Sequence, residues 1–205
     1  ITMRDYEELV LEHFPEVDKA QCIAIPQENA LLGICIVVFS CAEDSRYFLS
    51  SAWKLEEIRR AVSRYTSPFV TVKVVNPQYE KIEVYCRVVL RDNPQRYESK
   101  VLRQLVVLAQ NCIAPWYRKR EIPDSGQSFS YKELHARMVN HEDLLRLVLL
   151  EVDGVSLPDV DVETEDHVFK GSKPWSILLP EIKIELLSPG DGIEKAEIGG
   201  NFIIK

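Results

Sequence analysis

Over the first 76 residues, apolar residues recur at helical spacing in some segments and at strand-like spacing in others. Prolines and short polar residues interrupt the apolar runs, as is typical of the ends of helices and strands. The predicted elements are a helix from residue 2 to Pro15, strands at 21–25 and 31–39, a helix capped by Ser51, and a strand at 69–75 that follows Ser67-Pro68. This order predicts an α-β-β-α-β domain over residues 1–76.

A second domain is predicted over residues 77–153, after the turn dipeptide Asn76-Pro77. Strict alternation of apolar and polar residues over 82–90 predicts a half-buried strand. The helix that follows carries apolar residues on one face and ends at Ala114-Pro115-Trp116. We expect the Trp116 ring to fold back over this helix and anchor the second domain. Ser130 and Glu133 form the pattern of a capping box before a short helix, and a strand is predicted at 144–152.

Residues 154–205 differ from the rest of the chain in charge. The net charge of the protein is −7, and residues 151–205 account for all of it, with 12 acidic and 5 basic residues. Two short apolar runs, at 175–179 and 182–187, interrupt this acidic segment. We expect an extended tail whose Ile182, Ile184 and Leu186 cover a sheet edge or an apolar patch, either of this chain or of a neighbouring subunit. The predicted fold class is therefore α+β, with two small consecutive α+β domains, mixed or antiparallel sheets and an extended C-terminal tail.

Charge and composition exclude several classes of function. Nucleic-acid binding requires a basic face, and the only basic cluster is the short run at 118–120. No apolar run approaches the roughly 20 residues of a membrane-spanning helix. The five cysteines are odd in number and lack C-x-x-C spacing, which favours neither a disulfide framework nor a zinc site. A reducing compartment such as a cytoplasm is expected.

Candidate catalytic groups are sparse. Alternating carboxylates at Asp159, Asp161, Glu163 and Glu165 would line one face of a strand, but no glycine falls among them to wrap a loop around calcium. We therefore predict an acidic strand, no catalytic residues, no metal and no cofactor. Two alternatives stay open: a non-catalytic adaptor or binding module unrelated to tails, and a hydrolase that uses these carboxylates with His167.

Several short sequence motifs, here called phrases, follow one another along the chain. Their order resembles that in the C-terminal part of baseplate J-like proteins, which are components of contractile phage tails and injection systems. In this family an SPF-type start, a VxNPxYE-type turn, a strand and a helix ending in an SPW-like triplet occur in series, and Ala114 here replaces the usual serine of the triplet. The phrases are Ser67-Pro68-Phe69-Val70, Asn76-Pro77 with Tyr79-Glu80, Ala114-Pro115-Trp116, Pro174-Trp175-Ser176-Ile177-Leu178 and Ile198-Gly199-Gly200-Asn201-Phe202.

The resemblance implies a structural baseplate wedge subunit that works through contacts with other baseplate and tail subunits in a ring-shaped hetero-oligomer. Such a protein would assemble in the bacterial cytoplasm and then reside in a phage tail or injection particle, where it would help to trigger contraction. No nucleic acid and no membrane span would be involved. The candidate structural and assembly residues are Pro68, Asn76, Pro77, Tyr79, Pro115, Trp116, Trp175, Ile182, Ile184 and Leu186.

Overall fold

A computed structural model describes residues 2–26, 32–41, 45, 47–91, 98–119, 121–157 and 165–188. Helices and strands occur in comparable amounts, so the predicted α+β class is confirmed. The elements are α1 (Met3–His13), β1 (Lys19–Ile25), β2 (Leu32–Phe39), α2 (Ala52–Ser63), β3 (Val70–Val75), β4 (Gln78–Leu90), α3 (Glu98–Ile113), α4 (Pro115–Lys119), β5 (Ser128–Ser130), α5 (Tyr131–Val139), β6 (Leu144–Val152), β7 (Val168–Lys170) and β8 (Ser176–Leu186). Within the described ranges, no helix is both long and apolar enough to span a bilayer.

The chain forms two compact units that are not single segments of the sequence. The first comprises Ile1–Glu80, Trp116–Gln127 and Lys170–Ile177, and the second comprises Lys81–Pro115, Ser128–Phe169 and Leu178–Lys205. The predicted boundary after residue 76 lies close to Glu80, where the chain first passes from the first unit into the second. Two later segments return to the first unit, which the sequence pattern did not predict.

The first unit is built on a mixed sheet in the order β1-β2-β3. β1 runs antiparallel to β2, and β2 runs parallel to β3. Helices α1 and α2 pack against this sheet. The buried side chains of the core are Tyr6, Val10, Phe14, Val17, Ala20, Cys22, Ile34, Ile36, Val38, Ile58 and Val62.

The predicted helix starts are observed with their caps. The Thr2 hydroxyl accepts from the Asp5 backbone N–H while the Asp5 carboxylate accepts from the Thr2 N–H, which together form a capping box. The Ser51 hydroxyl caps α2 by accepting from the Lys54 N–H. These bonds satisfy donors that the first turn of a helix leaves without intrahelical partners.

The start of α5 differs from the predicted capping box in its second half. The Ser130 hydroxyl accepts from the Glu133 N–H at 3.1 Å, as expected. The Glu133 carboxylate, however, pairs with Arg137 one turn later in the helix. Asp166 instead accepts from the Ser130 hydroxyl and from the Lys132 N–H. The reason is that Asp166 is brought beside this helix start by the fold, which no local pattern encodes.

The second unit contains the sheet β6-β4-β8, while β5 pairs with β7. β4 and β6 are antiparallel. Lys81 pairs with Glu181 and Arg87 with Glu185, so residue numbers increase together along β4 and β8, as in a parallel pair. The buried core consists of Ile82, Val84, Cys86, Val88, Leu90, Val101, Leu105, Ala109, Ile113, Phe129, Tyr131, Leu134, Met138, Leu144, Leu150, Val152, Phe169 and Leu178.

The acidic C-terminal segment contributes to the folded core as far as Leu187. Ile182, Ile184 and Leu186 lie half-buried against the core of the second unit. β8 forms one continuous strand through Pro180, although two separate runs were predicted. The sheet edge that β8 occupies belongs to this chain, one of the two partners that the sequence left open. The phrase at residues 198–202 lies outside the described residues.

Candidate functional site

The turn between β3 and β4 is fixed by the side chain of Asn76. Its carboxamide oxygen accepts from the Ser50 N–H and its amide nitrogen donates to the Ser50 carbonyl, both at 2.8 Å. Pro77, the next residue, is buried. Ser50 lies directly before the N-cap of α2, so this paired hydrogen bond ties the β3–β4 turn to the start of a helix about 25 residues earlier.

An aromatic group forms around Tyr79. The Tyr79 hydroxyl accepts from the Phe48 N–H at 3.0 Å, and its ring meets the Tyr47 ring edge-on with centroids 4.9 Å apart. The Trp116 ring centroid lies 6.1 Å from that of Tyr79 and 5.6 Å from that of Tyr117. Burial raises the pKa of Tyr79, which keeps the phenol neutral at physiological pH.

Trp116 is buried, with 5% of its surface exposed, but it belongs to the first unit. The prediction that it anchors the second domain is wrong. The physical reason is a break in the helix: α3 ends at Ile113, and Pro115 begins the separate short helix α4. Proline is favoured at a first helical position, so Trp116 belongs to a new helix and its ring contacts Tyr79 and Tyr117 of the first unit.

Glu80 binds the turn that joins β7 to β8. Its carboxylate accepts from the Ser172 N–H at 2.9 Å, from the Ser172 hydroxyl at 2.6 Å and from the Ser176 hydroxyl at 2.5 Å. Gln78 donates a fourth bond from its side-chain amide, at 2.9 Å. Burial by itself would raise the pKa of Glu80, but the hydrogen bonds from Ser172 and Ser176 outweigh it, and the pKa lies below its ordinary value.

The same turn requires glycine at position 171. A Cβ atom there would lie 2.2 Å from the Cβ of Ser176, a distance that real side chains do not reach. Ser176 itself is fully buried and also accepts from the Lys173 N–H. The small residues therefore let the turn close tightly enough for Glu80 to reach both serines.

Trp175 lies on the same turn and is half-buried. Its carbonyl accepts from the Gln78 N–H at 3.1 Å. The ammonium groups of Lys73 and Lys173 lie 4.8 Å and 5.6 Å from its ring centroid. Cations at these distances are attracted to the face of an indole.

A loop that follows α4 closes this part of the first unit. The Gln21 carboxamide oxygen accepts from both the N–H and the hydroxyl of Ser125. Gly126 adopts φ +74° and its N–H donates to the Ser176 carbonyl at 2.9 Å. An added Cβ at Gly126 would meet the Pro174 carbonyl oxygen at 2.7 Å. Three segments far apart in sequence thus converge on one place.

We call Asn76, Tyr79, Glu80, Trp116 and Trp175 the motif cluster. They come from three of the phrases that carry the family resemblance, and all five lie in the first unit. Their arrangement is that of a stabilising junction. The polar side chains of Asn76, Tyr79 and Glu80 bond to backbone or to side chains of the same unit. The rings of Trp116 and Trp175 contact aromatic or cationic side chains of that unit. Pro68 and Pro115 are exposed residues outside this cluster. Ile182, Ile184 and Leu186 pack in the second unit and are not brought to it.

Sequence reasoning missed the hydrogen-bonding partners of the cluster, namely Ser172, Ser176, Gln21 and Ser125. Ser176 stands within the phrase that begins at Pro174, and Gly171-Ser172 precedes it, so a tight turn could have been predicted there. Gln21 gave no signal, because a polar residue within a strand is ordinarily exposed.

Chemically reactive groups are few in the described ranges. Burial raises the pKa of Cys22 and Cys35 to about 11 and that of Cys86 to about 12, so these thiols are protonated and unreactive at neutral pH. Asp166 caps α5, and the His167 ring lies 4.6 Å from that of Phe169. In the part of the chain that the structure describes, no three His, Cys, Asp or Glu side chains are grouped as metal ligands. Asp159, Asp161 and Glu163 lie outside it.

Comparison with known proteins gives similarity at the level of structure but not of sequence. No protein-family model matches the sequence, and no curated protein does. Among solved structures, a chain of the anti-feeding prophage baseplate, from a six-fold symmetrised cryo-EM structure, matches with a TM-score of 0.58 and 17% sequence identity. The match covers 88% of this chain and 37% of that chain. This protein therefore shares its fold with part of a baseplate chain.

Proposed function

We propose that this chain is a structural subunit of the baseplate of a contractile tail or injection particle, of the baseplate J-like kind and in the wedge. The observation that carries the proposal is the similarity of nearly the whole chain to a chain of the anti-feeding prophage baseplate. Its fold matches only part of that longer chain, so the activity and partners of a whole baseplate protein are part of the proposal.

The motif cluster supports the proposal independently of that comparison. The phrases that resemble the baseplate J-like family are spread over about 100 residues, yet Tyr79, Trp116 and Trp175 lie in one unit. The Tyr79 and Trp116 rings are neighbours there, and the Trp175 carbonyl accepts from the Gln78 N–H. Chance phrases would have no reason to converge in space. Their convergence in one unit supports a resemblance that extends to the fold and is not limited to the phrases themselves.

The proposed mode of action is assembly without catalysis. Neighbouring baseplate and tail subunits would bind exposed surfaces of the two units, in a ring of repeated copies around the tail tube. The rearrangement that accompanies sheath contraction would pass through those contacts. Assembly would take place in the bacterial cytoplasm, before the finished particle places the chain at one end of its tail.

The test is deletion of the coding sequence in the source cell, followed by purification of sheath-bearing particles and electron microscopy. We expect complete particles to be lost and to return when the wild-type chain is supplied with an affinity tag, with the tag found at one end of the particle. Normal numbers of particles that lack the chain would contradict the proposal.

A matched variant separates assembly from hydrolysis. His167 is exposed and would be required by a hydrolase that uses the neighbouring carboxylates. We expect His167→Ala to restore particles as well as the wild type does. A folded His167→Ala protein that restores none would favour chemistry at this position over a purely structural role.

A further inference from the structure

A groove lies along α2 of the first unit, beside Phe14, the residue that follows α1. Its volume is about 410 Å³, within the range of pockets that hold a small ligand or a few side chains. Phe14 is only 7% exposed, whereas Trp53 is 71% exposed. The groove is lined by Phe14, Trp53, Glu56, Glu57, Arg60, Ala61 and Arg64.

Trp53 is not explained by the fold of the first unit. It occupies the second position of α2, and the buried residues of that helix are Ile58 and Val62. Large exposed aromatic rings together with arginines are typical of the energetically important centres of protein interfaces. The Lys54 ammonium lies 4.9 Å from the Phe14 ring centroid and 5.7 Å from that of Trp53, next to the same aromatic surface.

The charges around the groove indicate whether its binding partner is positively or negatively charged. Glu56 accepts hydrogen bonds from Arg59 and Arg60, and Glu57 accepts from Lys54 at 3.0 Å. Both carboxylates that line the groove are therefore already paired with cations of this chain.

Arg64 differs from these residues. Among the residues that the structure describes, its guanidinium pairs with no carboxylate, although it lies at the rim of the groove at the end of α2. Lys54 also pairs with Glu16. The four cations of α2 and its cap therefore stand against three carboxylates, and one positive charge is left over beside an apolar surface. Electrostatic complementarity then favours a negatively charged occupant.

We propose that this groove docks a segment of another protein in which a large apolar side chain is flanked by carboxylates. The apolar side chain would pack on Phe14 and Trp53, and a carboxylate would accept hydrogen bonds from Arg64. This inference rests on the groove itself and does not depend on a baseplate role.

The experiment uses the purified full chain and a fluorescein-labelled peptide that carries a leucine between glutamate pairs. A second peptide has glutamine in place of each glutamate. Anisotropy titrations at low salt should show binding of the glutamate peptide and at least about tenfold weaker binding of the glutamine peptide. Equal binding of the two peptides, or no binding of the glutamate peptide at millimolar concentration, would overturn the proposal.

Variants locate the binding site. Trp53→Ala should weaken binding about 30-fold or more, as expected for a central interface residue, and Arg64→Gln about tenfold. Phe69→Ala is the matched control, because Phe69 is 73% exposed in the same unit but does not line the groove. Unchanged binding by Trp53→Ala, or equal losses in all three variants, would exclude the groove as the site.

A second copy of this chain is the competing occupant. Sedimentation equilibrium of the wild type and of Trp53→Ala decides between them. We expect both proteins to show the same mass. Self-association that disappears in Trp53→Ala would show that the groove is filled by another copy and that the proposal is wrong. These binding and sedimentation measurements use only the purified chain and no particles. A failure of the docking proposal can therefore be distinguished from a failure of the baseplate proposal.

Discussion

Replacement of Trp116 by alanine is the most direct test of the motif cluster. The ring is 5% exposed and packs beside Tyr79 and Tyr117. Removing a buried tryptophan side chain costs about 3–5 kcal/mol, because both the transfer of the ring from water and the packing around it are lost. Such a loss is a large share of a typical unfolding free energy of about 5–15 kcal/mol.

Removing the Trp116 ring should also weaken the packing of Tyr79. The indole helps to hold the phenol ring whose hydroxyl accepts from the Phe48 N–H. We therefore expect a value near the upper part of the range. Trp53→Ala is the matched control, since an exposed ring at 71% should change the free energy of unfolding by no more than about 0.5 kcal/mol.

Urea unfolding followed by far-ultraviolet circular dichroism measures both variants. Fluorescence is less suitable, because the chain has three tryptophans and the variant removes one. Hydrogen exchange read by mass spectrometry then locates the effect, which should appear first in β1, β2 and β3. A wild-type midpoint in Trp116→Ala would refute the reasoning. Protection lost first in the β6-β4-β8 sheet would instead return Trp116 to the second unit, as the sequence suggested.

Three further predictions concern the same region of the chain and its C-terminal segment. Gly171→Ala should lower the melting temperature more than Gly154→Ala. An added Cβ at Gly171 meets the Ser176 Cβ at 2.2 Å, whereas at Gly154 it meets nothing within 4 Å and the cost is only that of a side chain at φ +77°. The pKa of Glu80 in the folded chain lies below its ordinary value of 4.5, so its stabilisation is present above that pH and is lost as the pH falls through the folded pKa. As the pH is lowered from 7 to 3, the melting temperature should therefore fall more steeply for the wild type than for Glu80→Gln. A chain that ends at residue 153 should lack a cooperative thermal transition, because it loses β7 and β8, and a wild-type-like transition would show that these strands are dispensable.

The sequence predicted elements whose signals are local. Thr2 and Ser51 marked helix starts, and the alternation along β4 marked a half-buried strand. The three-residue strands β5 and β7 escaped prediction because their pairing is set by the fold and not by a periodic pattern. β8 was divided at Pro180, since proline lacks the N–H that a central strand needs. In the structure β8 lies at the edge of its sheet, where proline is tolerated.

Family resemblance in this chain resides mainly in residues that hold the first unit together. Glu80 bonds to two serines of its own unit, and Trp116 is buried beside Tyr79, so these side chains are not free to bind a neighbouring subunit. Both side chains join segments that lie far apart in the sequence, so they contribute to the fold and not only to its local structure. Under the proposed function, recognition of partners would rest on exposed residues such as Trp53, which is 71% exposed. Residues buried inside a unit carry information about its fold, whereas exposed residues are the ones available to a partner, so motifs made of buried residues predict the fold and leave partners unspecified.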